Sequence, residues 1–135
     1  MTLDLRTTEG ASIFKQMVRS ADVVISNFKP GTLEERGLGY DDLCMVNKSI
    51  ICAAGSTFGP IGPDAQMEGA DLAGQCAGGL VSTIGYDGTP LSPVGATIAD
   101  HIASQNLLSG ILAALYPRER TGLGQLIEGS LVGGQ

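Results

Sequence analysis

Two short apolar runs constrain the fold of this chain more than anything else in it. Val23-Val24-Ile25 is β-branched throughout, and Ser49-Ile50-Ile51-Cys52-Ala53-Ala54 repeats the theme after an intervening helical stretch. Short runs that are apolar on both faces and bounded by turn residues suit strands covered on both sides in a parallel sheet. An earlier segment, Thr2-Leu3-Asp4-Leu5, alternates like a further short strand. Thr7-Thr8-Glu9-Gly10 then marks a helix start, and residues 11–19 set Ile13, Met17 and Val18 on one helical face. Lys29-Pro30-Gly31 ends the strand at 23–25, and two short helical pieces are predicted at 31–36 and 40–46. The resulting β-α-β-α-β order implies right-handed crossovers. The predicted class is α/β, an open parallel, Rossmann-like sheet with flanking helices.

Beyond residue 54 the texture changes. Residues 55–66 read as a Gly/Pro loop, 69–80 as a helix of small residues, and 83–95 as another Gly/Pro loop. A long helix is predicted over 98–116, with Ile98, Ile102, Leu108, Ile111, Leu112 and Leu115 as its apolar face. Residues 118–122 close it, and residues 125–128 form a last strand. The 20 glycines cluster at 55–62, 69–88 and 122–134, where backbone turns tightly or approaches a ligand. A strand at the very start and another just before the end would leave parallel-sheet edges bare. The 135 residues are therefore expected to be a partial domain of a larger protein.

A net charge of −6 with no basic stripe argues against nucleic acid as a partner. An anionic ligand would need helix N-termini or a few local cations instead. Cys44, Cys52 and Cys76 share no metal-type spacing, and buried, reduced thiols in a cytoplasmic protein are expected. The most apolar stretch, 107–116, is interrupted by Ser109 and Gly110 and is too short to span a bilayer, so no membrane partner is expected.

The chemistry-bearing residues lie at helix starts. Thr97-Ile98-Ala99-Asp100 fits a capping box, with Thr97 at the N-cap and Asp100 at N3. Asp100 is then either a plain cap or a nucleophile, because the first helical turn favours a charged carboxylate and such a group can attack an activated carbonyl. His101, the only histidine, points about 100° away from Asp100 on a helix and cannot serve it as a base. No partner completes a metal site around it. Asp71, amid Gly69, Gly74, Gly78 and Gly79, is the second acid at a predicted helix start. Asn27, Phe28 and Lys29 follow a parallel strand, where ligands of doubly wound sheets bind. Asn27 could hydrogen-bond a base edge, Phe28 stack and Lys29 meet phosphate, although on residue types alone an ordinary turn is the better reading.

Five stretches in order resemble the family III CoA-transferases, the formyl-CoA transferase and carnitine CoA-transferase (CaiB/BaiF-like) group, whose superfamily includes the α-methylacyl-CoA racemases. They are ADVVISNFKPG at 21–31, RGLGY at 36–40, GADL at 69–72 with Gln75, GATIAD at 95–100 and RERTGLGQ at 118–125. The resemblance implies a central fragment of the family's large domain, without its N-terminal strand and helix or its C-terminal small domain. It implies that Asp100 is the nucleophile, forming an aspartyl anhydride and then an aspartyl-CoA thioester, with Asp71 at an assisting acidic position. Coenzyme A would be carried as substrate, with no tightly bound cofactor and no metal. An acyl-CoA and a small carboxylic acid would be the partners, and the full-length chains would interlock as homodimers. Asn27 and Phe28 match positions that line the CoA nucleotide site, and Lys29 stands beside them as the phosphate contact its charge suggests. The family commonly has a basic residue where Glu35 stands, leaving Arg36, one step on, for that phosphate contact. Racemases carry a catalytic histidine where this chain has Ala70. A racemase or isomerase of the superfamily is therefore the weaker alternative, beside a truncated non-catalytic chain in which Asp100 only caps its helix.

Overall fold

The central strand shows most directly how the sequence builds the fold. A computed structural model describes residues 1–135. β2 (Ile51–Ser56) lies between β1 (Val23–Ser26) and β3 (Leu126–Ser130), and all three run parallel. The register pairs Val23 with Ile51 and Ser26 with Ala54 on one side of β2, and Cys52 with Leu126 and Ser56 with Ser130 on the other. Alternation along β2 divides the core in two. Ile50 and Cys52 face a cluster with Val18, Leu38 and Leu43, under α1 (Thr8–Val18) and α2 (Tyr40–Val46). Ile51 and Ala53 face Ile111 and Ala114 of α4 (Ile98–Thr121). Helices thus cover both faces of a parallel sheet, the predicted α/β architecture. No helix is long and apolar enough to cross a membrane.

Several expectations are corrected. Residues 2–5 form no strand. Asp4 accepts the Arg6 amide (3.0 Å) and, through its own carbonyl, the Thr7 amide (3.2 Å), closing a turn that delivers Thr7 as N-cap of α1. Ile13 and Met17 are exposed, and α1 packs through Val18, Ala11 and Phe14 instead. β1 is not covered on both sides: it is an edge strand, and Ile25 is exposed. Cys52 is buried and pushed up to about 11, chiefly by burial, whereas Cys76 is exposed on α3 (Asp71–Ala77).

The long helix departs furthest from its predicted face. It buries Ala99, Ala103, Ile111 and Ala114, while Leu108 and Leu112 point to solvent. Alanines let the helix axis lie close against the sheet, which a row of leucines would hold away. The helix also runs through Pro117 and stops only at Gly122, whose positive φ of 69° makes the left-handed C-cap. Arg118 anchors that end: its guanidinium sits 3.0 Å from the Asp22 carboxylate and reaches the Asp22 and Ser49 carbonyls beneath β1 and β2.

Candidate active site

The carboxyl ends of β1 and β2 open into a cleft of about 620 Å³ between the sheet and the start of α4. Asn27 follows β1 into it, Ser56 ends β2 and Thr57 follows it, and Gly69 and Ala70 precede α3. Asp100 and Ser104 bring the first turns of α4 to the same space, and Ile25 supplies part of its apolar floor. This accounts for the exposure of Ile25 at the sheet edge. The cleft stands at strand ends where helices begin, the usual ligand position in open α/β sheets.

The start of α4 is built differently from the predicted capping box. Thr97 has φ −77° and ψ 63°, outside the extended geometry of an ordinary N-cap, and its side chain caps no amide. Asp71 takes over that task from α3, 29 residues earlier. Its Oδ1 accepts the Asp100 amide at 3.1 Å, and its Oδ2 accepts Gln75 Nε2 at 2.6 Å. Asp71 is nine-tenths buried. Burial raises its pKa, but hydrogen bonds from the Asp100 amide, Gln75 and the Ala99 amide, with the charge of His101, outweigh this and hold it below the ordinary value. Asp100, by contrast, is exposed at the cleft. Two acids of similar local sequence context therefore have different surroundings: one is tied down in the protein, the other open to a ligand.

His101 turns back along the helix. Its Nδ1 lies 2.6 Å from the Thr97 carbonyl, which can only accept, so Nδ1 carries the proton and donates. Ser104 donates from Oγ to the Asp100 carbonyl at 2.7 Å.

The nucleotide-site candidates separate into two groups. Asn27 shares the cleft with Asp100. Phe28 and Lys29 line the adjoining hollow with Asn27, Met67 and Glu68, and Lys29 Nζ meets the Glu68 carboxylate at 2.9 Å. An exposed pair of this kind is held weakly, so a phosphate can displace the carboxylate at little cost. Arg36 does not join them. It lies in a 3-10 turn, Glu34–Arg36, and faces a separate cleft beside α1, with Arg6, Lys15 and Arg19.

Sequence reasoning missed the roles of Gln75 and Ser104. Gln75 is spaced four residues from Asp71, the interval at which helical side chains meet. Ser104 stands at the same interval from Asp100, on the cleft side of α4.

With this geometry in place, the relationship to known proteins is direct. The model of CoA-transferase family III matches residues 1–135, the whole chain. The chain belongs to CoA-transferase family III. It is 38% identical over 128 residues to succinyl-CoA–D-citramalate CoA-transferase of Chloroflexus aurantiacus, covering 95% of this chain and 32% of that protein. It is 36% identical over 135 residues to acetyl-CoA:oxalate CoA-transferase of Acetobacter aceti, covering 99% and 35% respectively. Among solved structures, a CaiB/BaiF family protein from Brucella suis superimposes with a TM-score of 0.93 at 36% identity, covering 99% of this chain and 35% of that one. The chain thus spans about a third of the length of the relatives it matches.

Proposed function

We propose that this family III chain carries the nucleophile and part of the CoA site of an enzyme that moves CoA from an acyl-CoA thioester to a small carboxylic acid. The observation that carries the reading is the placement of Asp100. Its side chain opens into the cleft at the strand ends while its own amide is held by the buried Asp71 carboxylate. The fixed backbone limits where the carboxylate can swing, and such positioning supplies much of the advantage of an enzymic nucleophile.

In the proposed reaction, an Asp100 oxygen attacks the thioester carbonyl. The C–S bond breaks, giving a mixed anhydride and the CoA thiolate. The thiolate attacks the aspartyl carbonyl, releasing the donor's carboxylate and leaving Asp100 as a CoA thioester. The acceptor carboxylate attacks this carbonyl and frees the thiolate, which then takes the acceptor's acyl group and regenerates Asp100. Asn27, Phe28 and Lys29 hold the nucleotide end of CoA. Asp71 assists by fixing the backbone of Asp100, and the donors and acceptors named for the relatives, succinyl- and acetyl-CoA with oxalate or citramalate, indicate the size of the acids. Racemisation requires an acid–base pair across the substrate, and Ala70 brings only a methyl group to the cleft.

The test is trapping. The full-length gene product is incubated with succinyl-CoA or acetyl-CoA and hydroxylamine, and its peptides are read by mass spectrometry. A hydroxamate at Asp100 is expected, and Asp100→Asn should lower transfer at least about a thousandfold. An active enzyme that leaves Asp100 unmodified overturns the assignment.

A further inference from the structure

Gln75 is the most completely engaged polar side chain at the site, and the proposed chemistry does not use it. It is 1% exposed. Its Nε2 donates to Asp71 Oδ2 at 2.6 Å and to the Ala96 carbonyl at 3.1 Å, and its Oε1 accepts the Val94 amide at 2.9 Å. Both amide hydrogens and the oxygen are therefore occupied. The partners belong to two different structures. Val94 and Ala96 end the loop that leads into α4, whereas Asp71 opens α3 and accepts the amide of Asp100.

We infer that Gln75 is a positioning residue for Asp100: with Asp71 it forms a clasp that fixes the end of the loop and the first turn of α4 as one unit. The inference rests on the proposed role of Asp100 and adds a residue that touches neither substrate nor the reacting carboxylate. The polarity of the clasp is defined, since Gln75 donates and Asp71 accepts. It follows that reversing both partners preserves the clasp. In Asp71→Asn/Gln75→Glu, the new Asn amide donates to the new Glu, the Asn oxygen still accepts the Asp100 amide, and the second Glu oxygen still accepts the Val94 amide. The charge of the pair is unchanged, and the Ala96 carbonyl loses its donor.

Steady-state kinetics of the full-length gene product, with succinyl-CoA and oxalate as the probe pair, test this. Asp71→Asn sets two amide donors face to face, and Gln75→Glu sets two carboxylates face to face. Each single variant is expected to lower kcat roughly tenfold to a hundredfold, with the KM for acyl-CoA within about twofold of the wild type. The double variant is expected to recover kcat roughly tenfold over the slower single variant. Additive losses in the double variant, or a loss confined to KM, overturn the clasp. Amide hydrogen exchange in the wild type provides a check that needs no variant to fold. The Val94 and Asp100 amides should open together with matching protection, and a Val94 amide that exchanges far faster than Asp100 overturns the coupling. If the wild type transfers CoA without an adduct at Asp100, the proposed function falls, and the reversed pair still decides the clasp.

Discussion

Asp71 and Asp100 each stand in the first turn of a helix, yet the carboxylate of one serves the amide of the other. Asp71 is shielded and carries hydrogen bonds that favour its charged form, so its pKa lies below the ordinary aspartate value of 3.8. The consequence for stability has a definite sign. A group that binds its proton less tightly when folded contributes fully above its unfolded pKa, and the contribution drains as pH falls toward the depressed folded value. The wild type is therefore expected to lose stability below about pH 3.8 through this group, and Asp71→Asn lacks that loss. Denaturant midpoints of the two proteins, measured between about pH 6 and about pH 2, should converge as the pH falls. Midpoints that run parallel across the range would show that another carboxylate controls the acid limb.

Helix α3 can reach α4 only because its middle residue has no side chain. A Cβ on Gly74 would stand 2.8 Å from the Leu131 Cβ and 3.0 Å from the Ala99 Cβ, closer than such atoms approach without displacement. Ala99 immediately precedes Asp100, so a shift here moves the proposed nucleophile. Gly74→Ala is expected to cost about 1–3 kcal/mol in chemical denaturation and to lower kcat as well. Leu72→Ala, on the exposed side of α3, should stay within about 0.5 kcal/mol. The same contact shows what the sequence could and could not disclose. The strands at 23–25 and 49–54 were legible because β-branched runs between turn residues leave few alternatives, although the second forms two residues later, as Ile51–Ser56. The strand predicted at 125–128 pairs as β3, beginning at Leu126. Of the buried face of α4 only Ile111 was legible, because hydropathy ranks Leu108 and Leu112 above Ala99, Ala103 and Ala114, while close packing selects the alanines. Asp71 and Asp100 were each visible as acids at helix starts. The local pattern Thr97–Asp100 pointed to a cap within one helix, and a carboxylate 29 residues away displaced it. No periodicity encodes such a contact.

At the scale of the molecule, a three-stranded parallel sheet with two unpaired edges carries much apolar surface in the open. Leu126 is exposed on the edge strand β3, and Leu108, Leu112 and Tyr116 are exposed along the outer side of α4. Contiguous apolar surface and bare strand edges both favour association with other protein. Since the relatives are about three times as long as this chain, the rest of such a protein or its partner is the natural cover for these faces. One pair of substitutions should then have opposite effects in two settings. In the isolated 135-residue chain, Leu112→Glu with Tyr116→Glu removes apolar surface from water, so sedimentation velocity should show less concentration-dependent association than in the wild type. In the full-length protein the same charges would be buried against the covering segment without partners, a loss of roughly 2 kcal/mol or more, seen as a lowered denaturation midpoint. A full-length protein that keeps its midpoint with both charges in place has the outer side of α4 in water. The association of the isolated chain would then have to run through the edges of β1 and β3.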